Sequence, residues 1–291
     1  MDSFAHPLQL VTGKGGVGKS SVVAALAQGA AEAGKRPLIV ELGHRATMES
    51  IFGVPVGYRP REVSPGVSAM NVAFEDAVVD YIAEQVRVRR LAQRIARSSV
   101  LSRFLGAAPA VSEVVTLRLL QRLVDAGEYA PIFVDLDATG HARMFLSLPE
   151  VFDGLVESGP LRALLDRTTE LLRDPARSVL HLVTLPSALP AQETRELHAA
   201  LRDANQIALG ALIVNRVPRE PLGPRDVAQL DTWAAEHPGD VALARQEQQR
   251  AVDARDVVES LRALSLRVIE VPELDAPLDL LALARALRSD A

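Results

Sequence analysis

The segment Leu8-Gln9-Leu10-Val11-Thr12-Gly13-Lys14-Gly15-Gly16-Val17-Gly18-Lys19-Ser20 decides the fold. An apolar run of strand length feeds a glycine-rich turn, and the turn opens a helical pattern from Ser20 to about Ala33 that stops at Gly34. The spacing satisfies G-x-x-x-x-G-K-[ST] between a strand and a helix, the context that separates a phosphate-binding loop from a bare glycine-rich turn. The glycines let backbone N–H groups close around phosphate oxygens, and the helix N-terminus adds partial positive charge. Gly13, Lys14, Gly15, Gly16, Val17, Gly18, Lys19, Ser20 and Ser21 are the expected nucleotide contacts. Lys19 is expected at the β/γ phosphates and the Ser20 hydroxyl on Mg²⁺. Lys14 is a second lysine that a phosphate cradle does not need, either a cation with its own task or a solvated loop charge.

Outward from this loop, short Val/Ile/Leu-rich runs alternate with longer helical patterns. That is the signature of a mostly parallel, doubly wound α/β sheet covered on both faces, a P-loop NTPase fold. Seven strands are expected: Leu8–Thr12, Pro37–Leu42, Val67–Ala73, Ile132–Leu136, Val179–Leu185, Ala208–Asn215 and Leu266–Val271. Helical patterns over 75–106, 111–124 and 145–172 exceed what a crossover needs. They predict helical insertions at about 75–128 and 143–175 within one domain spanning 1–291. Ile132-Phe133-Val134-Asp135 ends an apolar strand in a carboxylate, which places Asp135 to hold Mg²⁺ through water. Ala211-Leu212-Ile213-Val214-Asn215 ends another in a carboxamide that can pair with the N6 and N7 edge of adenine, or merely cap a turn.

Gly13 to Ser20 resembles the deviant Walker A loop of the ParA/MinD/ArsA superfamily, whose members pair face to face around two nucleotides. The resemblance implies that Lys14 reaches phosphate across the dimer interface, where a cation stabilises transition-state charge as an arginine finger does. Asp135-Leu136-Asp137-Ala138-Thr139-Gly140-His141, then Phe145-Leu146-Ser147-Leu148-Pro149, is similar to the second switch of the ArsA and tail-anchored-protein-targeting ATPases. The family reads D-T-A-P-T-G-H and F-L-x-L-P, so 139–141 match and 136–138 depart. The segment is expected to sense the γ-phosphate and pass the change into adjoining helices. By the same resemblance Asn215 reads the base and Pro272 borders it. Gly57 to Tyr81 and the stretch from Thr184 to Thr194 look like bacterial anion-transporter-ATPase-like members. ATP/ADP and Mg²⁺ are the implied cofactors.

The sequence also departs from that family. Its first switch reads S-T-D-P-A-H, with the aspartate orienting the attacking water; anchoring on Phe52-Gly53 puts Gly43 in that place. Glycine positions no water, so Glu41 and Asp137 are the substitute candidates, each equally open to a structural role. With no cysteine among 291 residues, arsenite thiols, a zinc-bridged dimer and iron–sulfur ligation are excluded. Four methionines do not make a Met-rich client groove. Apolar residues including Phe145, Leu146, Leu164 and Leu165 have the spacing of ordinary core before that of a groove.

Lys+Arg 32 against Asp+Glu 37 gives a net charge of −5, which argues against nucleic acid as a partner. The arginines at 87, 89, 90, 94, 97 and 103 read as a solvated helix face, or as contact with an acidic partner, lipid head groups at a membrane surface or nucleic acid. The amphipathic run Leu278–Leu287 is expected to pack on the sheet. MDSFAHPLQL lacks the basic and apolar regions of a signal peptide, so the expected compartment is the cytoplasm. The resulting expectation is a slowly hydrolysing ATPase, a homodimer or a heterodimer with a paralogue, whose nucleotide state governs binding of a protein client. The alternatives are a hydrolysis-deficient, nucleotide-held scaffold and a ParA/MinD-like positioning ATPase.

Overall fold

The computed structural model describes residues 4–43, 46–73, 76–80, 110–136, 145–147, 158–220, 222–274 and 278–289. Eight strands form one sheet: β1 (Leu8–Gly13), β2 (Leu38–Leu42), β3 (Arg61–Ser64), β4 (Val67–Val72), β5 (Ile132–Asp135), β6 (Ser178–Thr184), β7 (Leu209–Val217) and β8 (Arg267–Pro272). Their order is β3-β4-β2-β5-β1-β6-β7-β8, and every neighbouring pair is parallel except β3 with β4. Eight helices are described: α1 (Lys19–Glu32), α2 (Thr47–Phe52), α3 (Ala110–Ala126), α4 (Pro160–Arg173), α5 (Ala188–Ala204), α6 (Pro224–Trp233), α7 (Pro238–Arg262) and α8 (Leu280–Ser289).

The strands read as unbroken apolar runs because both faces are covered, and the period of two sorts their side chains between two cores. Leu8, Leu10, Leu38, Val40, Ile132 and Val134 point to one face, where α3, α4, α5 and α7 supply Leu120, Leu171, Leu201 and Leu261. Val11, Ile39, Phe133, Val183 and Ile213 point to the other, against α1, α2 and α8. The seven expected strands are present, and an eighth, β3, is added at the edge. Its four residues Arg-Glu-Val-Ser bury only Val63, the charged and short character of an edge strand, and so carry no apolar run to read.

α3 and α4 fall within the ranges 75–128 and 143–175 and pack on each other through Val114, Leu164 and Leu165. Phe145 and Leu146 are buried in the sheet core, as are Leu164 and Leu165 between the helices, so these residues are core. Tyr58, in the segment after α2, donates its hydroxyl to Asp80 at 3.1 Å and packs against the same core. Burial, and then the neighbouring Asp80 carboxylate, raise the Tyr58 phenol well above its ordinary range. α8 buries Leu283, Ala284 and Leu287 against α1 and β8, and Arg288 pairs with Glu32 of α1. The C-terminal run therefore covers the helix that follows the phosphate loop as well as the sheet. No helix among the described residues is long and apolar enough to cross a membrane.

β1 sits between β5 and β6, and the chain leaves β1 toward β2 on one side but passes from β5 to β6 across it. This is a topological switch point, and in open α/β sheets the crevice beyond the carboxyl ends of such strands is where ligands bind.

Candidate functional site

The crevice beyond β1, β2 and β5 contains a cavity of about 230 Å³ bordered by Gly16, Lys19, Ser20, Glu41, Thr47 and Asp135. Ser20, at the start of α1, and Asp135, at the end of β5, are 115 residues apart in sequence, yet Ser20 Oγ donates to Asp135 Oδ2 at 2.6 Å. A hydroxyl and a carboxylate side by side at the floor of an open cavity are hard oxygen donors, the set that suits Mg²⁺ together with phosphate oxygens and water. Among the described residues no group of three or more His, Asp or Glu side chains converges into a metal cage.

Lys19 is buried, and its ammonium donates to the carbonyls of Gly13 and Lys14 at 3.1 Å each. It thus lies inside the loop, curled on the backbone. Lys14 takes the opposite direction: its ammonium meets Glu193 Oε1, on α5, at 2.7 Å. Gly15 and Gly16 form the exposed tip of the loop, while Val17 is buried in the core beneath it.

The loop is shaped by its neighbours. A Cβ on Gly13 would stand 2.1 Å from the Val183 carbonyl oxygen, so the loop entrance rests directly on β6 and only glycine fits. A Cβ on Gly18, at φ +92°, would meet Asn215 Nδ2 at 2.3 Å. Asn215 donates through Nδ2 to the Val17 carbonyl at 2.9 Å, and its Oδ1 accepts the Arg216 N–H at 3.0 Å. The residue singled out for reading a base is therefore also a brace under the phosphate loop. Asn215 also borders the second cavity.

That second cavity, about 290 Å³, lies beyond β7 and β8 and is bordered by Asn215, Pro272, Leu274 and Leu278. Gly18 and Ser21 border both cavities, so the two meet across the start of α1. One end is bordered by the loop glycines, Lys19, Ser20 and Asp135; the other sets Pro272, Leu274 and Leu278 beside the Asn215 carboxamide, Arg216 and Glu273.

Glu41 points into the first cavity, as strand alternation requires, but both of its oxygens are engaged. Oε1 accepts the Thr47 N–H at 2.8 Å, at the first turn of α2, and Oε2 accepts from Asn71 Nδ2 on β4 at 3.0 Å. Gly43 follows at the exposed end of β2 and brings no side chain to the cavity. Asp137, the turn at 139–141 and the arginines at 87–103 lie outside the described residues. Thr47, Leu42 and Leu136 also border the cavity; none follows from the motif patterns, since only the closing of β2 and β5 toward α1 places them there.

The chain matches the family model for anion-transporting ATPases over residues 7–162. It is 31% identical over 234 residues to the ATPase BagA of Mycobacterium tuberculosis, an alignment covering 76% of this chain and 68% of the relative. It is 29% identical over 253 residues to the arsenical pump-driving ATPase of Escherichia coli, covering 79% of this chain but 42% of that longer protein. With ATPase ASNA1 homolog 1 of Paramecium tetraurelia it shares 27% identity over 146 residues, 49% of this chain and 44% of the relative. By the extent of these matches, the chain belongs to the anion-transporting ATPase family.

Proposed function

We propose that the chain binds ATP with Mg²⁺ across the two joined cavities, and that two nucleotide-loaded protomers pair through their phosphate loops in the cytoplasm. The observation that carries this reading is the Ser20–Asp135 hydrogen bond at 2.6 Å, beside a loop whose lysine is already folded inward. The triphosphate would take the polar cavity, with the loop N–H groups and Lys19 on its oxygens, and the base would enter between Pro272, Leu274 and Asn215. Ser20 and Asp135 would hold Mg²⁺, which when bound neutralises charge developing between the β- and γ-phosphates. Lys19 would then exchange the Gly13 and Lys14 carbonyls for phosphate oxygens, while Lys14 reaches the nucleotide of the second protomer.

From Asp135 the chain runs through buried Leu136 to Phe145 and Leu146, which pack in the same core as α3. A change at the phosphate end would thereby reach the α3–α4 layer, where a protein client is the partner this reading assigns. A second reading, the nucleotide-held scaffold that needs a paralogue for turnover, is favoured by Gly43 and by the full engagement of Glu41. Single-turnover assays separate them: conversion of bound ATP supports hydrolysis by this chain, and bound ATP that stays intact supports the scaffold.

The metal assignment has a direct test in the affinity for ATP with Mg²⁺ and with EDTA. Ser20→Ala and Asp135→Asn are each expected to weaken binding roughly tenfold with Mg²⁺ and to leave it unchanged with EDTA. Equal losses under both conditions would show that the pair shapes the loop and does not hold the cation.

A further inference from the structure

The two lysines of the loop face opposite ways, and the partner of Lys14 is a residue with no assigned task. Lys14 is not among the residues that border the phosphate cavity; its ammonium is held by Glu193 of α5, 179 positions along the chain. We propose that Glu193 is a positioning residue for Lys14. It keeps that ammonium off its own phosphate site and on the face where a second copy of the chain arrives, and yields it to the partner's nucleotide on pairing. The inference rests on the reading of Lys14 as a cation that acts across a dimer.

Three features of the fold carry it. First, the position of Glu193 is set by the scaffold. Gly13, next to Lys14, is seated on Val183, and β6 runs from there through Leu185 and Ser187 into α5. α5 is anchored by buried Leu197 and Leu201, and Thr194, beside Glu193, is buried and donates its hydroxyl to the Pro190 carbonyl at 2.8 Å. The carboxylate is therefore presented to the loop by a fixed helix turn and not by a loose segment.

Second, the pair is built to exchange. The two side chains are 35% and 34% exposed, so solvent screens the attraction and the contact is weak. Yet Glu193 Oε2 is buried and accepts no hydrogen bond, so the carboxylate leans on the lysine for compensation. A partly exposed ammonium on a flexible stem can leave for a triphosphate, which offers more negative charge than one carboxylate.

Third, the surrounding surface suits a second copy. Leu189 precedes Glu193 by four residues and lies on the same side of α5, and it is 60% exposed. With the exposed tip at Gly15 and Gly16, it sets an apolar residue beside the ion pair, on the face that the paired loops would close.

Self-association of the full chain, measured by sedimentation with a slowly hydrolysed ATP analogue and Mg²⁺, tests this. Glu193→Gln keeps the side-chain shape and removes the charge that holds Lys14 back. Two such contacts are given up per dimer, so the variant is expected to associate about fivefold more tightly than wild type. In a Lys14→Ala background the same change is expected to do nothing, a coupling that a merely structural Glu193 would not produce. Association that depends on Lys14 but ignores Glu193→Gln, or that shifts equally in both backgrounds, overturns the Glu193 assignment alone. If the chain does not associate with nucleotide, or associates regardless of Lys14→Ala, the across-dimer reading itself fails and the assignment falls with it.

Discussion

Mixed one to one, the Lys14→Ala and Lys19→Ala variants are expected to recover ATP hydrolysis that neither shows alone. Lys19 lies inside its own loop on the Gly13 and Lys14 carbonyls, and on the proposed reading it serves the nucleotide of its own protomer. Lys14 is held by Glu193 instead, and on the proposed reading it serves a neighbour's. A Lys14→Ala protomer would thus hold ATP in a sound pocket without a cation in trans. A Lys19→Ala protomer would hold none but still offer its Lys14. If the variants paired as freely as wild type, about half of the dimers would be mixed, each with one complete site, so about a quarter of the wild-type rate is the ceiling for the mixture, while a missing trans cation costs on the order of a thousandfold. Rates are read at fixed total protein, with each variant alone as the baseline. A mixture no faster than its components would place both lysines on the same nucleotide and end the trans reading.

The polar end of the site was legible because its chemistry is local. A strand, a glycine-rich turn and a helix are contiguous in sequence, and Asp135 ends an apolar run, so the meeting of Ser20 and Asp135 needs only the ordinary pairing of β1 with β5. The inner strands were legible for the same reason that they are stable: burial on both faces leaves Val, Ile and Leu in unbroken runs. β3 was not, since Arg61, Glu62 and Ser64 face solvent or the edge and only Val63 enters the core.

What could not be read were the partners that distant elements supply. Strand alternation put Glu41 on the cavity side, but Thr47 and Asn71, which occupy its two oxygens, come from α2 and β4. Asn215 drew attention for an adenine edge, and its grip on the Val17 carbonyl depends on how β7 lies beside the loop. Glu193 meets Lys14 only because β6 delivers α5 to the loop's flank. Pairings across 179 and 198 residues leave no trace in spacing or periodicity.

His181, in the middle of β6, belongs to no motif, yet its ring ties the stability of the sheet to pH. Between Leu180 and Leu182 the β6–β7 register slips, Leu180 pairing with Leu209 but Leu182 with Leu212. The Ala211 N–H at this bulge donates to His181 Nδ1 at 3.0 Å, so the ring stands in for a missing ladder carbonyl. With Nδ1 as acceptor, the proton of the neutral ring belongs on Nε2, which faces Gln9 Oε1 at 3.2 Å. A second ring proton would point at a backbone donor. Burial first, then the nearby His6 and Arg267, push the imidazole down from 6.5 to about 4.

The folded chain therefore resists a proton that the unfolded chain accepts near pH 6.5. This contribution to stability is complete above that pH and is lost as pH falls from about 6.5 to about 4. Its size follows from the shift, about 3 kcal/mol between those limits. His198, whose ring is pushed down by burial and then by Arg202, adds in the same direction, so the comparison is made in one background. Urea unfolding from pH 7.5 to 4.5 should show the wild type losing about 2–3 kcal/mol more than His181→Asn, whose amide carries no titrating proton. Parallel losses in the two proteins would assign the acid sensitivity to other groups and leave His181 only its place in the bulge.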